Sequence, residues 1–216
     1  MNDLIIPPIF PHNIRAFFTT RHRHPFVNQT HIPVYKPVQR HTSNVIVLDN
    51  LERIIGDAVI TDRKGITICV ETADCVPILL CDPEVPAIGA VHAGWRGTAA
   101  GILKNTVQKM KELYSSEPPR ILMAIGPSIG PCCYEVDEPV MKAVSQVTGT
   151  HYTSRNGKYY INLQQENLLQ ALSEGLQRDN IWLSDECTFC NPHKFHSYRY
   201  SRERAGRQGG FIMIEF

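Results

Sequence analysis

The chain has 216 residues, 43% hydrophobic and 20% charged, the balance of an ordinary globular protein with enough length to bury a core. Twenty-two Lys and Arg against 21 Asp and Glu leave a formal net charge of +1, which gives no electrostatic footprint for a nucleic acid or an anionic membrane as partner. No window approaches the roughly 20 apolar residues of a membrane span, and Met1–Pro8 has no basic n-region and is broken by prolines, so it does not read as a secretory signal. The seven cysteines are odd in number, in a chain too large to need disulfide staples, and imply a reducing, cytoplasmic setting. With nine histidines beside them, they raise the question of whether any set of thiols and imidazoles converges.

In chain order, β-branched and aromatic runs predict strands at Ile14–Thr20, Val45–Asp49, Asp57–Thr61, Ile66–Glu71, Val76–Cys81 and Ala87–His92. Between the first two, Arg21–Pro37 carries His22, His24, Pro25, His31, Pro33 and Pro37 and reads as loop. Ile78-Leu79-Leu80-Cys81 is apolar without alternation and predicts a strand buried on both faces. A helix follows over Thr98–Tyr114, with Ala99, Ile102, Leu103, Val107, Met110, Leu113 and Tyr114 on one face and Thr98 as its N-cap. Further strands are expected at Arg120–Gly126, Lys158–Asn162, Ile181–Ser184 and Phe211–Glu215. Two more helices are expected: Asp137–Val147, with Val140, Met141, Val144 and Val147 inward, and Leu163–Leu176, with Leu168, Leu169, Leu172 and Leu176 inward. The sum is one α/β domain of the mixed α+β kind over residues 1–216, its mixed β-sheets flanked by helices. No G-x-G-x-x-G follows a strand, so a Rossmann site has no support.

Several segments look chemical. Thr72-Ala73-Asp74-Cys75-Val76-Pro77 joins two strands, and Cys75 is either a small buried hydrophobe or a thiolate. In Val91-His92-Ala93-Gly94-Trp95-Arg96-Gly97-Thr98, His92 ends a strand and Arg96 adds a guanidinium beside a helix N-terminus, the parts of an anion site. The same stretch also reads as a plain strand–turn–helix connector. Gly126–Tyr134 is a rigid Gly/Pro loop carrying Cys132 and Cys133, and adjacent thiols make a poor chelate for one ion. Cys187-x-x-Cys190 is half of a zinc-ribbon pattern without a second pair at the usual spacing. Phe195–Arg199 has the polar and aromatic mix of a pocket rim.

Taken jointly, the motifs are specific. Thr19-Thr20-Arg21, Gln39-x-His41, Asp57-Ala58-x-Ile60-Thr61, Thr72-Ala73-Asp74-Cys75-x-Pro77, Gly89-x-Val91-His92-Ala93-Gly94-Trp95-Arg96-Gly97, Gly126–Val136, Cys187-Thr-x-Cys190, Phe195-His-Ser-x-Arg199 and Gly206-Arg207 run through nearly the whole chain. In this set the chain resembles the laccase-domain family, also called polyphenol oxidase or YfiH-like, whose members are described as purine nucleoside phosphorylases. The resemblance implies one metal held by His41, Cys75 and His92. Three N/S ligands leave a fourth tetrahedral position open, as in catalytic zinc sites; thiolate and imidazole suit Zn²⁺ and also copper. It further implies phosphorolysis of adenosine, inosine, guanosine and methylthioadenosine, plus adenosine deamination, with a small nucleoside and phosphate as partners. The candidates for phosphate are Arg21, Arg96 and Arg199, and for sugar or base Ser197, His196 and Tyr134. Asp74, next to a ligand, is a candidate to orient a histidine. A single His-x-His, His22-x-His24, argues against a multicopper oxidase. Residues 22–40 are also too few for the longer, helix-bearing segment that family members carry between Thr-Arg and Gln-x-His.

Two other readings use the same residues. The fold the family shares with cytotoxic necrotising factors suggests a Cys75/His92 dyad, a cysteine hydrolase or amidase of the peptidoglycan-precursor-editing kind. The shortened N-terminal segment suggests a non-enzymatic metal-binding regulatory module. The sequence leaves the oligomeric state open.

Overall fold

The apolar run Ile78–Cys81 lies in the strand Val76–Asp82, every residue of which is buried. In the computed structural model, which describes residues 4–22, 32–148 and 152–216, this strand is third in a six-stranded mixed sheet. The order is Ile181–Leu183, Leu122–Ile125, Val76–Asp82, Ala87–Ala93, Ala58–Thr61 and Val45–Val47. The strand is buried on both faces as expected, but it is antiparallel to both neighbours, so its burial does not come from a parallel βαβ arrangement.

The pleat sorts the core into two halves. Val76, Ile78 and Leu80 join Ala58, Ile60 and Val91 on one side and meet Ile102, Leu103, Val107 and Met110 of a helix. Leu79 and Cys81 join Val59, Ile88 and Ala90 on the other side and meet Phe18, Ile68, Val70 and Ile212 of a second sheet. That sheet runs Leu4–Ile5, Ile14–Thr19, Gln208–Ile214, Thr67–Thr72 and Val34–Tyr35. Glu135–Val136, Lys158–Ile161 and Tyr152–Arg155 form a small antiparallel ribbon. The fold is therefore mixed α+β, with helices, central sheet and second sheet in layers. Gly126 marks the close approach of the two sheets: a Cβ there would sit 2.4 Å from the Phe18 ring.

Several expectations shift. The helix predicted over Thr98–Tyr114 is two helices, Trp95–Ala99 and Ile102–Tyr114. Gly101, at φ +72°, adopts the left-handed conformation that breaks the winding. Thr98 is thus inside the first helix rather than its cap, and its hydroxyl and carbonyl accept from Asn167 and Gln170 at 3.0 and 2.9 Å. The next predicted helix is Glu138–Thr148. Leu163–Ser173 stops short of Leu176, before Gly175 at φ +98°. Part of the expected loop is a strand, Val34–Tyr35, paired with Thr67 and Ile68. Among the described residues between Arg21 and His41 there is no helix; His24, Pro25 and His31, and the Val147 side chain, lie outside the described part. No described helix is long and apolar enough to cross a membrane.

Leu79, fully buried between the two sheets, tests this layering. Leu79→Ala is expected to cost about 2–5 kcal/mol, read as a lower urea midpoint at unchanged slope.

Candidate metal centre and cleft

Asp57 stands one residue before the apolar strand Ala58–Thr61 and is fully buried. Its Oδ1 accepts the His41 N–H at 3.0 Å and lies 2.7 Å from His92 Nδ1. Its Oδ2 accepts the N–H groups of Arg40 and Thr42 and the Thr42 hydroxyl, at 3.1, 2.7 and 2.8 Å. Burial opposes ionisation, but the His92 bond and these donors outweigh it and hold the carboxyl well below its ordinary range. The same bonds pin His41 at φ +59°, a left-handed conformation that a non-glycine residue keeps only when its surroundings enforce it.

With Nδ1 on Asp57, His92 has Nε2 left for ligation. The ligand atoms of His41, Cys75 and His92 all lie within 4.8 Å of one another; Cys75 Sγ is 3.9 Å from His41 Nε2. Cys75 directly precedes the strand Val76–Asp82, His92 stands near the end of Ala87–Ala93, and His41 is on a loop. Gly94 leaves the room, since a Cβ there would sit 3.0 Å from both Cys75 Sγ and His41 Cδ2. Burial disfavours the Cys75 thiolate, yet the charge of His92 and a hydrogen bond from His41 bring its pKa down to about 6. Burial likewise disfavours the charged imidazole, but Cys75 and Asp57 push His92 up to about 9. Cys75 and His92 thus favour each other's charged forms, with the Asp57 carboxylate behind the imidazole. All three side chains line a cleft of about 670 Å³, so a fourth ligand has room. Two imidazoles and a thiolate, one imidazole oriented from behind, fit a Zn²⁺ or copper ion with an open position.

Asp74 does not orient a histidine; Asp57 does. Asp74 sits at φ +85° with Oδ1 accepting the Thr188 hydroxyl at 2.7 Å and Oδ2 the Arg199 N–H at 2.6 Å. It ties the segment 188–199 to the ligand loop. Arg199 lines the cleft, its guanidinium 5.3 Å from the Tyr134 ring and hydrogen-bonded to the Glu135 carbonyl at 2.9 Å. Arg96 also lines it, stacked 4.3 Å over Trp95, at the start of a helix of only five residues.

Arg21, Ser197 and His196 lie outside the cleft lining. Arg21 is turned to the Pro192 carbonyl. Ser197 Oγ accepts the Tyr200 N–H at 3.1 Å and caps the turn Tyr198–Ser201. His196 exchanges main-chain bonds with the Gln208 amide at 2.7 and 2.9 Å. The lining adds further cations: Arg40, Arg53, Arg202 and Arg207, with Lys36 paired to Glu71 at 2.7 Å. The signals for them are the density of Arg in Arg202–Arg207 and the Gly206-Arg207 motif. Asp57 had a clearer one, an acid opening an apolar strand. Cys132, Cys133, Cys187 and Cys190 belong to two separate motifs in the sequence, and their sulfurs also lie within 4.8 Å of one another.

A mixed α+β layering with a His–Cys–His centre in an arginine-rimmed cleft is the class of protein these features define. Residues 18–215 match the family described as multi-copper polyphenol oxidoreductase laccase, and the chain belongs to that family. It is 37% identical to the purine nucleoside phosphorylase YlmD of Geobacillus stearothermophilus, over 72% of this chain and 59% of that protein. It is 38% identical to a purine nucleoside phosphorylase of Aquifex aeolicus, over 79% of this chain and 78% of that one. The crystal structure of YlmD from G. stearothermophilus superposes with a TM-score of 0.87 at 28% identity, covering 97% of this chain and 94% of that one. Neisseria meningitidis protein NMB0706 superposes at 0.86 and 26% identity, with each chain covered in full.

Asp57→Asn keeps an acceptor but loses the charge. Zinc affinity, measured by competition with a chromogenic chelator, should fall about 10- to 100-fold. Because the Asp57 pKa is lowered on folding, its contribution to stability is present above the ordinary carboxylate pKa and is lost as pH falls below it. The metal-free Asn variant should therefore show a flatter acid limb in its stability–pH profile than the metal-free parent.

Proposed function

We propose that the chain is a zinc-dependent purine nucleoside phosphorylase acting on adenosine, inosine, guanosine and methylthioadenosine, with adenosine deamination as a second activity. The observation that carries this reading is the convergence of His41, Cys75 and His92 in one cleft with Arg40, Arg96, Arg199, Arg202 and Arg207. The names of the relatives support it, and the size of the cleft suits a nucleoside. Zn²⁺, when bound to the three ligands, supplies a Lewis-acid centre that polarises an oxygen or activates water. Arg96 and Arg199 bind the phosphate and hold it for attack at C1′ of the ribose, neutralising its charge where water is partly excluded. Trp95 and Tyr134 give the cleft aromatic faces for the base. The Thr72 hydroxyl, buried in the cleft wall without a hydrogen-bond partner, is the kind of group that a substrate hydroxyl or a water completes.

Metal-replete protein given adenosine and phosphate should yield adenine, ribose 1-phosphate and inosine, and His92→Ala should abolish all three. Arg96→Ala should raise the KM for phosphate roughly 10- to 100-fold, the worth of one charge-assisted hydrogen bond. Absence of all three products above the His92→Ala background overturns the reading.

One observation favours a second reading. The depressed Cys75 thiol beside His92, with Asp57 behind, has the order of a nucleophile, base and orienting acid, as a cysteine hydrolase or amidase requires. Iodoacetamide separates the two. A metal-ligating Cys75 is protected until a chelator is added, whereas a nucleophilic Cys75 alkylates in protein as purified.

A further inference from the structure

The strands Leu122–Ile125 and Ile181–Leu183 are parallel neighbours at the edge of the central sheet, with Met123 opposite Ile181 and Ile125 opposite Leu183. Parallel strands release their following loops at the same end. The pairing continues past both strands in a parallel bridge between Ser128 and Cys187 and in the Thr188 N–H bond to the Ser128 carbonyl at 3.0 Å. Residues far apart in sequence are thereby laid side by side. Cys133 and Cys190 have their sulfurs 3.2 Å apart, and Cys132 and Cys190 3.6 Å.

Adjacent cysteines in an extended strand would point to opposite faces. Cys132 and Cys133 are instead in a tight turn, where the N–H groups of Cys133 and Tyr134 both donate to the Gly130 carbonyl at 3.1 and 3.0 Å. With helical winding, consecutive side chains diverge by only about 100°, so both sulfurs reach one point. Across from them, Cys187 and Cys190 lie in a turn of their own, the Asn191 N–H bonding back to the Cys187 carbonyl at 3.2 Å. Gly130 serves both halves. Its N–H donates to Cys187 Sγ at 3.2 Å, and a Cβ on it would press on Cys132 Sγ at 3.3 Å.

Gathering four thiols has little to recommend it without a cation. Neutral S–H groups are weak donors, and four thiolates repel one another. All four cysteines are free, and one disulfide would account for only two of the sulfurs. Zinc–sulfur bonds of about 2.3 Å place tetrahedral sulfurs roughly 3.8 Å apart, which matches a group whose members all lie within 4.8 Å of one another. We propose that Cys132, Cys133, Cys187 and Cys190 bind a second Zn²⁺, separate from the His41–Cys75–His92 centre. Four protein ligands close its coordination, so its role is structural. It clamps the loop that leads to Tyr134 onto the segment that leads to Arg199, two residues of the cleft lining.

The test is metal content and cobalt spectroscopy of protein purified without a metal-affinity tag. The parent is expected to hold two zinc equivalents per chain. H41A/C75A/H92A, which leaves the four-cysteine group untouched, should keep one, and its cobalt-substituted form should show the intense charge-transfer absorption of four thiolates. C187S/C190S should also keep one, with that absorption lost. If the triple variant, folded by circular dichroism, holds no metal and all its remaining cysteines alkylate freely, the proposal is overturned. Mass spectrometry showing a disulfide within the four in freshly purified parent overturns it as well.

Discussion

Burying an ionised carboxylate costs several kcal/mol unless charge and hydrogen bonds compensate. At Asp57 the compensation organises the site. One oxygen serves His41 and His92, the other Arg40 and Thr42. These bonds stabilise the anion, and they also fix the entry of the chain segment that carries His41, which no regular element holds. Two of the three candidate ligands are thus referenced to one side chain at the head of a buried strand. The third, Cys75, enters at the start of a strand paired along its length with the one that carries His92. The centre inherits the rigidity of the sheet even though one of its ligands is on a loop.

Asp74 does for the cleft wall what Asp57 does for the ligands. It precedes Cys75, and its carbonyl accepts the Ile129 N–H at 3.0 Å while its carboxylate takes Thr188 and Arg199. Three segments distant in sequence meet at one residue. An anion in the cleft therefore approaches an Arg199 whose backbone is already placed, which lowers the ordering cost of binding.

The layering was legible because burial on both faces of the strand Val76–Asp82 writes the uninterrupted apolar run Ile78–Cys81, and burial on one face of Ile102–Tyr114 writes a helical stripe. The break at Gly101 was harder to see, since the apolar spacing continues across it and only backbone conformation records the interruption. Leu4–Ile5, Val34–Tyr35 and Glu135–Val136 have two residues each, too short for any period to show. Within the site, His41, Cys75 and His92 carry no local ligand spacing, and only the whole set of motifs pointed to them. Asp57 stands as an acid before an apolar strand, a pattern that a strand end and a buried site residue share. Arg21, His196 and Ser197 sit in segments of the right composition, and composition does not say which way a side chain turns.

The cysteines show most clearly what linear spacing conceals. A zinc ribbon is recognisable because each half is a local knuckle of matching pattern. Here the halves differ, one vicinal and one C-x-x-C, and what joins them is the parallel pairing of two edge strands. That pairing also decides where the cluster stands: at the end of the sheet from which the 126–134 loop and the 187–199 segment depart. The Thr188 side chain reaches Asp74 from the middle of the C-x-x-C turn, and Ile129 reaches it from the loop before Cys132. Any displacement of the four cysteines is therefore carried through two hydrogen bonds to the residue beside Cys75. The fold needs no long-range device to connect its two sulfur-bearing centres, because a single aspartate with an enforced left-handed backbone lies between them.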